Sequence, residues 1–271
     1  MRSGSQAALD RARDRWGAVL ETVPETEIDA AESIFSVADL LVSHSHLVAA
    51  LEDNARDPED RAQLAHDLFD GKVRGDVVEL LMGLARERWS ESGDLTLALE
   101  HLGVHTLLAG ARRSGQLSGV EEELYVAMRT LRNERGLRLT LSDSIYEPLA
   151  RAGLARNVFD SYNVFTKELL ARAVVRTERG RTLAQSLTAY LDLAAELDNH
   201  IVASVTSAIP LTREQEERLS AILTRTYKTD VTIHVSIDPA VIGGIRIHVG
   251  DDVIDGTLAS RITALRETFT N

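Results

Sequence analysis

The sequence has no cysteine among its 271 residues. Disulfide frameworks, thiolate-bound zinc, iron–sulfur clusters and a thiol nucleophile are therefore excluded. Aromatic residues make up only 4%, and the apolar content is mostly Leu, Ala, Val and Ile. That mixture suits helix packing more than an aromatic-lined ligand pocket. Long hydrophobic runs are missing as well. A secretory signal needs about 7–15 apolar residues in a row, and a membrane helix roughly 20. The first turns instead mix Asp10 and Asp14 with Arg11, Arg13 and Arg15. The expectation is a chain made and kept in the cytoplasm, meeting a membrane only through a partner. Positive charge is the last shortage. With 30 Lys+Arg against 42 Asp+Glu the net charge is −12, which argues against nucleic acid as the main partner, because phosphate recognition needs a basic face.

What is present is helical periodicity. Leu9, Ala12, Trp16, Val19 and Val23 form one stripe, and Ile28, Ala31, Phe35, Ala38 and Leu41 the next. Asp57-Pro58-Glu59-Asp60 reads as a helix start, with a capping carboxylate, a proline in the first turn and acids at the positive end. Gly71, Gly75, Gly93, Gly115, Gly136 and Gly180 punctuate the segments up to about residue 200. Short helices joined by short loops predict an antiparallel bundle.

The helical part repeats itself. Shifted by 90 residues, Glu32–Asp70 overlies Glu122–Asp160 without a gap, and 12 of the 39 columns are identical. Leucines could coincide through periodicity alone. Asp53/Asp143, Pro58/Pro148, Arg61/Arg151 and Asp70/Asp160 are not placed by periodicity. Beyond Asp70 the match resumes at an offset of 88, with Leu95/Leu183 and Leu99/Leu187. Two copies of one bundle unit are expected, sharing the stretch Leu95–Ala111 as a connector.

After Asn199 the pattern changes. Ile201–Thr206 is β-branched, Pro210 ends that strand, and Thr212-Arg213-Glu214-Gln215 is a capping box opening a helix to about Thr226. Val231–Ile237 alternates at period two, and Ile245–Val249 and Val253–Asp255 read as further strands. Gly250-Asp251-Asp252 reads as a tight turn, and Gly256-Thr257 leads to a last helix bearing Leu258, Ile262 and Leu265. The fold expected is mainly α: a duplicated antiparallel helical bundle, residues 1–115 and 116–200, followed by a small C-terminal α/β domain, 201–271.

No site for chemistry assembles from these residues. There is no G-x-G-x-x-G, Walker A or G-x-S-x-G pattern. Gly243-Gly244 precedes a strand instead of opening a helix, so its expected use is a bulge or positive φ. His101 and His105 have i, i+4 ligand spacing but lack an adjoining Glu and a third ligand. His44 and His46 fall in a polar loop, and His234 and His248 on solvent-facing strand positions. Acidic pairs such as Glu121/Glu123 and Asp251-Asp252 are expected on solvated faces. Arg172, Arg176, Arg179 and Arg181 form one local basic cluster, either a solvated helix end or a contact for an acidic partner helix. No catalytic residue, cofactor or metal is expected.

Several segments carry a family resemblance. Val205–Gln215, with Ser207, Ala208 and Pro210, resembles the strand-to-helix passage of the delta subunit of F-type ATP synthases, the family of the oligomycin-sensitivity-conferring protein. Ile237–Gly250, with Asp238, Gly243, Gly244 and Gly250, resembles that family's most distinctive motif, and Asp251–Thr257, with Asp255 and Gly256, continues it. Thr257 stands where the family usually has Ser. Val120–Tyr125 and Leu137–Asp143 are similar to the second and third helices of the family's N-terminal bundle, and Arg179-Gly180-Arg181 fits the bundle's end. The usual Tyr-Ala-x-Ala-Leu opening is reduced here to Gln6-Ala7-Ala8-Leu9. The chain exceeds the ordinary member by about one repeat offset, as in long actinobacterial forms.

The resemblance implies a non-catalytic stator subunit. It implies a helical bundle that binds N-terminal segments of the alpha subunits and a C-terminal domain that binds the end of the b stalk, on the cytoplasmic side of the plasma membrane. The extra bundle copy would widen the contact to head or stalk. Without the resemblance, a free-standing helical adaptor or signalling scaffold with a ligand-binding α/β tail fits the same composition.

Overall fold

The computed structural model describes residues 1–22, 26–177, 181–198, 200–227, 230–239, 241, 243–249 and 252–255. The apolar stripes become α1 (Ser3–Thr22) and α2 (Glu27–Ser43), followed by α3 (Ser45–Leu51). Leu9, Ala12 and Trp16 are buried on α1, as are Ala31, Phe35, Ala38 and Leu41 on α2. Val23 of the first stripe lies outside the described residues. α2 and α3 meet at 106°, and the expected polar loop shrinks to His44, because His46 already belongs to α3. Among the described residues, no single helix is long and apolar enough to cross a membrane.

α4 (Pro58–Phe69) starts where Asp57-Pro58 predicts: Asp57 Oδ1 accepts the Glu59 amide at 2.9 Å. α5 (Gly75–Arg86) and α6 (Asp94–Arg113) follow. Then come α7 (Leu117–Asn133), α8 (Arg135–Ser142), α9 (Pro148–Val158), α10 (Val164–Arg176) and α11 (Leu183–Leu197). The starts of α2, α3 and α4 recur 90 residues later in α7, α8 and α9. α5 and α10 are offset by 89, as are α6 and α11, whereas α1 and α6, both of 20 residues, are offset by 91. α6 thus corresponds both to the last helix of one set and to the first of the next. It packs on α1 and α2 and also on α7 and α10. Its burial is correspondingly broad, taking in Leu95, Leu99, Leu102 and Leu107 together with Glu100, His105 and Thr106.

The repeated polar residues play repeated parts. Asp53 Oδ1 accepts the amide of Ala55, and Asp143 Oδ1 that of Ile145, both at 3.0 Å, so each aspartate shapes the turn before a proline-started helix. Arg61 and Arg151 are both buried. Arg61 donates to the carbonyls of Glu87 (2.9 Å) and Arg86 (3.3 Å) at the end of α5. Arg151 donates to the carbonyls of Tyr146 (3.0 Å) and Leu141 (3.1 Å) and to Thr177 Oγ1 (2.9 Å), just past α10. Each guanidinium satisfies carbonyls that helix ends leave unpaired. The first set is tied to α6 by Trp16 Nε1, which donates to Thr106 Oγ1 at 2.7 Å, and by Ser5 Oγ, which donates to Asp94 Oδ2 at 2.6 Å.

The chain divides into two compact units, Met1–Leu187 and Thr188–Asn271. The second contains β1 (His200–Ser207), α12 (Arg213–Tyr227), β2 (Asp230–Ile237), β3 (Ile245–Val249) and β4 (Asp252–Asp255). The sheet order is β2-β1-β3-β4; β1 and β2 are parallel and the other pairs antiparallel. A parallel pair needs a crossover, and α12 supplies it. Its capping box forms as the sequence predicts, with Thr212 N donating to Gln215 Oε1 (2.8 Å) and Gln215 N to Thr212 Oγ1 (3.3 Å). Ala203, Val205, Val231, Ile247 and Val249 pack with Leu223 of α12 into one core. His234 and His248 lie in register with Ser204 from either side, on the opposite face. His248 is exposed; His234 is half-buried, less open than strand alternation suggests. The helix expected after Gly256, with Leu258, Ile262 and Leu265, lies outside the described residues.

Candidate partner-binding surfaces

Of the motif residues, Ser207 ends β1 and Asp238 follows β2. The structure joins them, as the Asp238 amide donates to the Ser207 carbonyl at 2.8 Å. Ser207 is also in register with Ile245, the first residue of β3. Gly243 and Gly244 lead into that strand at φ +65° and +81°. A side chain there would cost about 1–2 kcal/mol, so the glycines permit a turn that other residues resist. Asp255 is in backbone register with Arg246 across the β3–β4 pair. Gly250 and Gly256 lie outside the described residues. The motif therefore builds one end of the sheet. Beside it stand Ile209, 70% exposed between Ala208 and Pro210, and Ile237, 54% exposed.

The basic cluster requires a correction. Arg172 and Arg176 are buried, neither solvated nor turned to a partner chain. Arg172 Nη1 and Nη2 donate to the two carboxylate oxygens of Asp39, each at 2.9 Å, and Nε donates to Glu100 at 2.8 Å. Arg176 joins Glu100 at 3.1 Å, and the Arg172 guanidinium stands 4.4 Å from the centre of the Phe35 ring. Burial opposes the Arg172 charge, but hydrogen bonds and attraction from Glu100, then Asp39, hold its pKa above the ordinary value. Arg181 is exposed, and Arg179 lies outside the described residues. The partners come from 72 and 133 residues away, a distance that local spacing cannot reveal.

The pair Glu121/Glu123 is corrected likewise. Glu121 is buried. Glu123 accepts the Asn163 amide at 2.9 Å and the Thr166 hydroxyl at 2.5 Å, anchoring the start of α10. His105 belongs to the core; burial, then repulsion from His101, Arg13 and Arg112, lowers its pKa to about 4. Among the described residues no cluster of three or more His, Asp or Glu could hold a metal ion.

Exposed apolar surface distinguishes the two helical copies. In the second copy, Ile145 is 84% and Leu149 77% exposed, and Leu139 and Tyr146 are open nearby. Ninety residues earlier stand Ala55, Glu59, Ala49 and Arg56. Glu59 pairs there with Arg86 at 2.9 Å, and Arg56 with Asp53 at 3.3 Å. The shared fold does not require this apolar face, since the first copy does without it. Between α1 and α5 the first copy has instead a groove of about 290 Å³, lined among others by Arg15, Val19, Asp76, Leu80, Gly83 and Arg86.

Comparison with known proteins gives these surfaces a context. Residues 105–269 match the family model of the ATP synthase delta (OSCP) subunit. The ATP synthase subunit delta of Beutenbergia cavernae is 40% identical over 266 residues, covering 98% of each chain. That of Streptomyces griseus subsp. griseus is 36% identical over 262 residues, covering 97% of each. A chain of the Toxoplasma gondii mitochondrial ATP synthase hexamer, solved by cryo-EM, superposes with a TM-score of 0.40 and 19% identity, covering 62% of this chain and 95% of that one. The first 104 residues precede the family match, yet the actinobacterial relatives extend over them as well. With a family match over more than half its length and relatives of this identity along nearly all of it, the chain belongs to the ATP synthase delta (OSCP) subunit family.

Proposed function

We propose that this chain, a peripheral-stalk stator subunit of an ATP synthase by its family, holds the N-terminal segments of the alpha subunits and the end of the b stalk. The observation that carries the reading is the match to delta subunits along nearly the whole chain. The chain joins the complex on the cytoplasmic side of the plasma membrane and contributes no chemistry of its own. Its task is to keep the catalytic head from following the rotor.

The exposed surfaces support this work. The helical unit offers Ile145, Tyr146 and Leu149, and the α/β unit Ile209 and Ile237, so separate partners have separate apolar faces. Two moderate contacts on one chain reinforce each other through effective concentration, so neither has to be very tight. The first helical copy adds a further contact to the head or stalk. Titrating the purified full chain with an alpha N-terminal peptide and with a b C-terminal fragment tests the reading. Binding of both supports it, and binding of neither overturns it.

A further inference from the structure

The two copies differ most in charge along one stretch. Between Asp39 and Glu59 the first copy has one Lys or Arg against five Asp or Glu. Between Arg129 and Leu149, 90 residues on, the second has four against three. The change falls on open positions: Arg129, Arg132 and Arg135 stand where the first copy has Asp39, Val42 and Ser45, and all three are exposed. Among the described residues none of the three forms an ion pair. Surface arginines of the first copy are paired instead, Arg11 and Arg15 with Glu87 and Arg86 with Glu59. In a chain of net charge −12, three unpaired arginines within seven residues run against the general composition.

These arginines adjoin the apolar corner that the first copy lacks. Arg135 and Leu139 lie four residues apart on α8 and so share a face, and the chain leads from Leu139 to Ile145, Tyr146 and Leu149. Two further guanidinium groups hold the corner in place. Arg138 Nη1 donates to the carbonyls of Leu131 (2.9 Å) and Arg132 (3.0 Å), fastening α8 to the end of α7. The buried Arg151 donates to the carbonyls of Leu141 and Tyr146, fixing the turn from α8 into α9. The apolar side chains are therefore presented on a backbone that is already set, and a partner binding there has little of it to order.

The first copy shows how the Arg129 position is covered. Asp39, its counterpart on α2, is met by a helix, α10, whose Arg172 takes both carboxylate oxygens. Arg129 is the same position on α7 with the charge reversed, so a helix that meets it must carry an acid. We infer that the α7–α9 face receives an acidic amphipathic helix of another subunit of the synthase. Its apolar stripe lies on Leu139, Ile145 and Leu149, and its carboxylates point toward Arg129, Arg132 and Arg135. That the partner is a synthase subunit rests on the stator reading. Glu134 and Glu147 are exposed in the same stretch. A layer of anionic lipid headgroups would repel both, whereas a helix can set a neutral or basic residue opposite each.

The chain has no cysteine, so Ile145→Cys places a single thiol at a position that is 84% exposed. The variant is rebound to synthase stripped of its own delta subunit. Maleimide should then label the thiol at least fivefold more slowly than in the free chain. A benzophenone carried on the same thiol should cross-link, on irradiation, to a segment of another subunit. In that segment acids should outnumber bases, and apolar residues should recur every three or four positions. Adding Arg129→Glu, Arg132→Glu and Arg135→Glu should return labelling to within twofold of the free rate. Protection below fivefold overturns the assignment, as does a cross-link to a segment without acidic excess, or protection that outlasts the three charge reversals. Protection of the free chain by phosphatidylglycerol vesicles, with none in the detergent-purified complex, would give the face to the membrane. Failure of the unaltered chain to rebind the stripped synthase counts against the stator reading instead.

Discussion

Arg172 holds both carboxylate oxygens of Asp39 at 2.9 Å across 133 residues of sequence. This bidentate pair fastens α10 of the second copy to α2 of the first, and Glu100 of α6 completes it. Removing the guanidinium leaves the buried Glu100 carboxylate with Arg176 alone. Arg172→Ala should therefore cost about 3–5 kcal/mol. Asp39→Ala, which removes a partner that is partly open to water, should cost well under half as much. Urea unfolding of both variants checks this; equal losses would refute the ranking.

His105 makes stability depend on pH. Its folded pKa, about 4, lies below the ordinary 6.5, so the folded chain keeps it neutral while the unfolded chain takes up a proton. Its contribution is complete above pH 6.5 and declines as pH falls toward 4, by about 3 kcal/mol in all. The raised Glu52 pKa, caused by burial, acts with the opposite sign: its stability is present at low pH and is lost as pH rises through the folded value. Comparing the unaltered chain with His105→Leu isolates the histidine. The variant should lose less stability between pH 6.5 and 4.5, and parallel curves would count against this assignment.

Two helical glycines should respond in opposite ways to the same substitution. Gly103→Ala drives a methyl group into the Phe35 ring and should cost about 1–3 kcal/mol, against the gain in helix propensity. Gly83→Ala meets only the mobile end of Arg15, at an ordinary contact distance of 3.8 Å, and should stabilise by about 0.5–1 kcal/mol. Thermal unfolding distinguishes them.

The paired glycines before β3 are a third case. Gly243→Ala or Gly244→Ala places a Cβ at positive φ and should cost about 1–2 kcal/mol each. The α/β unit should show this by faster amide exchange in β3. Unaltered exchange would mean the turn tolerates the substitution.

Ile145→Ser and Leu149→Ser remove apolar atoms that already face water. The double variant should unfold within about 0.5 kcal/mol of the unaltered chain yet be retained less well on the synthase in a salt wash. Retention at the unaltered level would mean that this face meets no partner.

Local chemistry was legible in the sequence wherever the determinants lie within one turn. Asp57-Pro58 marked the start of α4 and Thr212 with Gln215 the capping box of α12, while the β-branched Ile201–Thr206 and the alternating Val231–Ile237 marked β1 and β2. The same box recurs at Thr182 and Gln185, with Thr182 N donating to Gln185 Oε1 at 2.9 Å, and read in the same way it locates α11. Long-range pairing was not legible. Nothing near Arg172 points to Asp39 or Glu100, and the acids around Glu121 give no sign of burial. The contrast between Ile145 and Ala55 was present in the alignment of the copies, but its meaning required knowing that both positions face water.

α6 has a mechanical consequence. Because one 20-residue helix, about 30 Å long, closes the first copy and opens the second, no tether lies between them to bend or twist. A load applied to one copy reaches the other through continuous backbone hydrogen bonds and buried side chains. A second helical set joined through a shared helix adds little compliance, which is what a part held against a turning shaft requires.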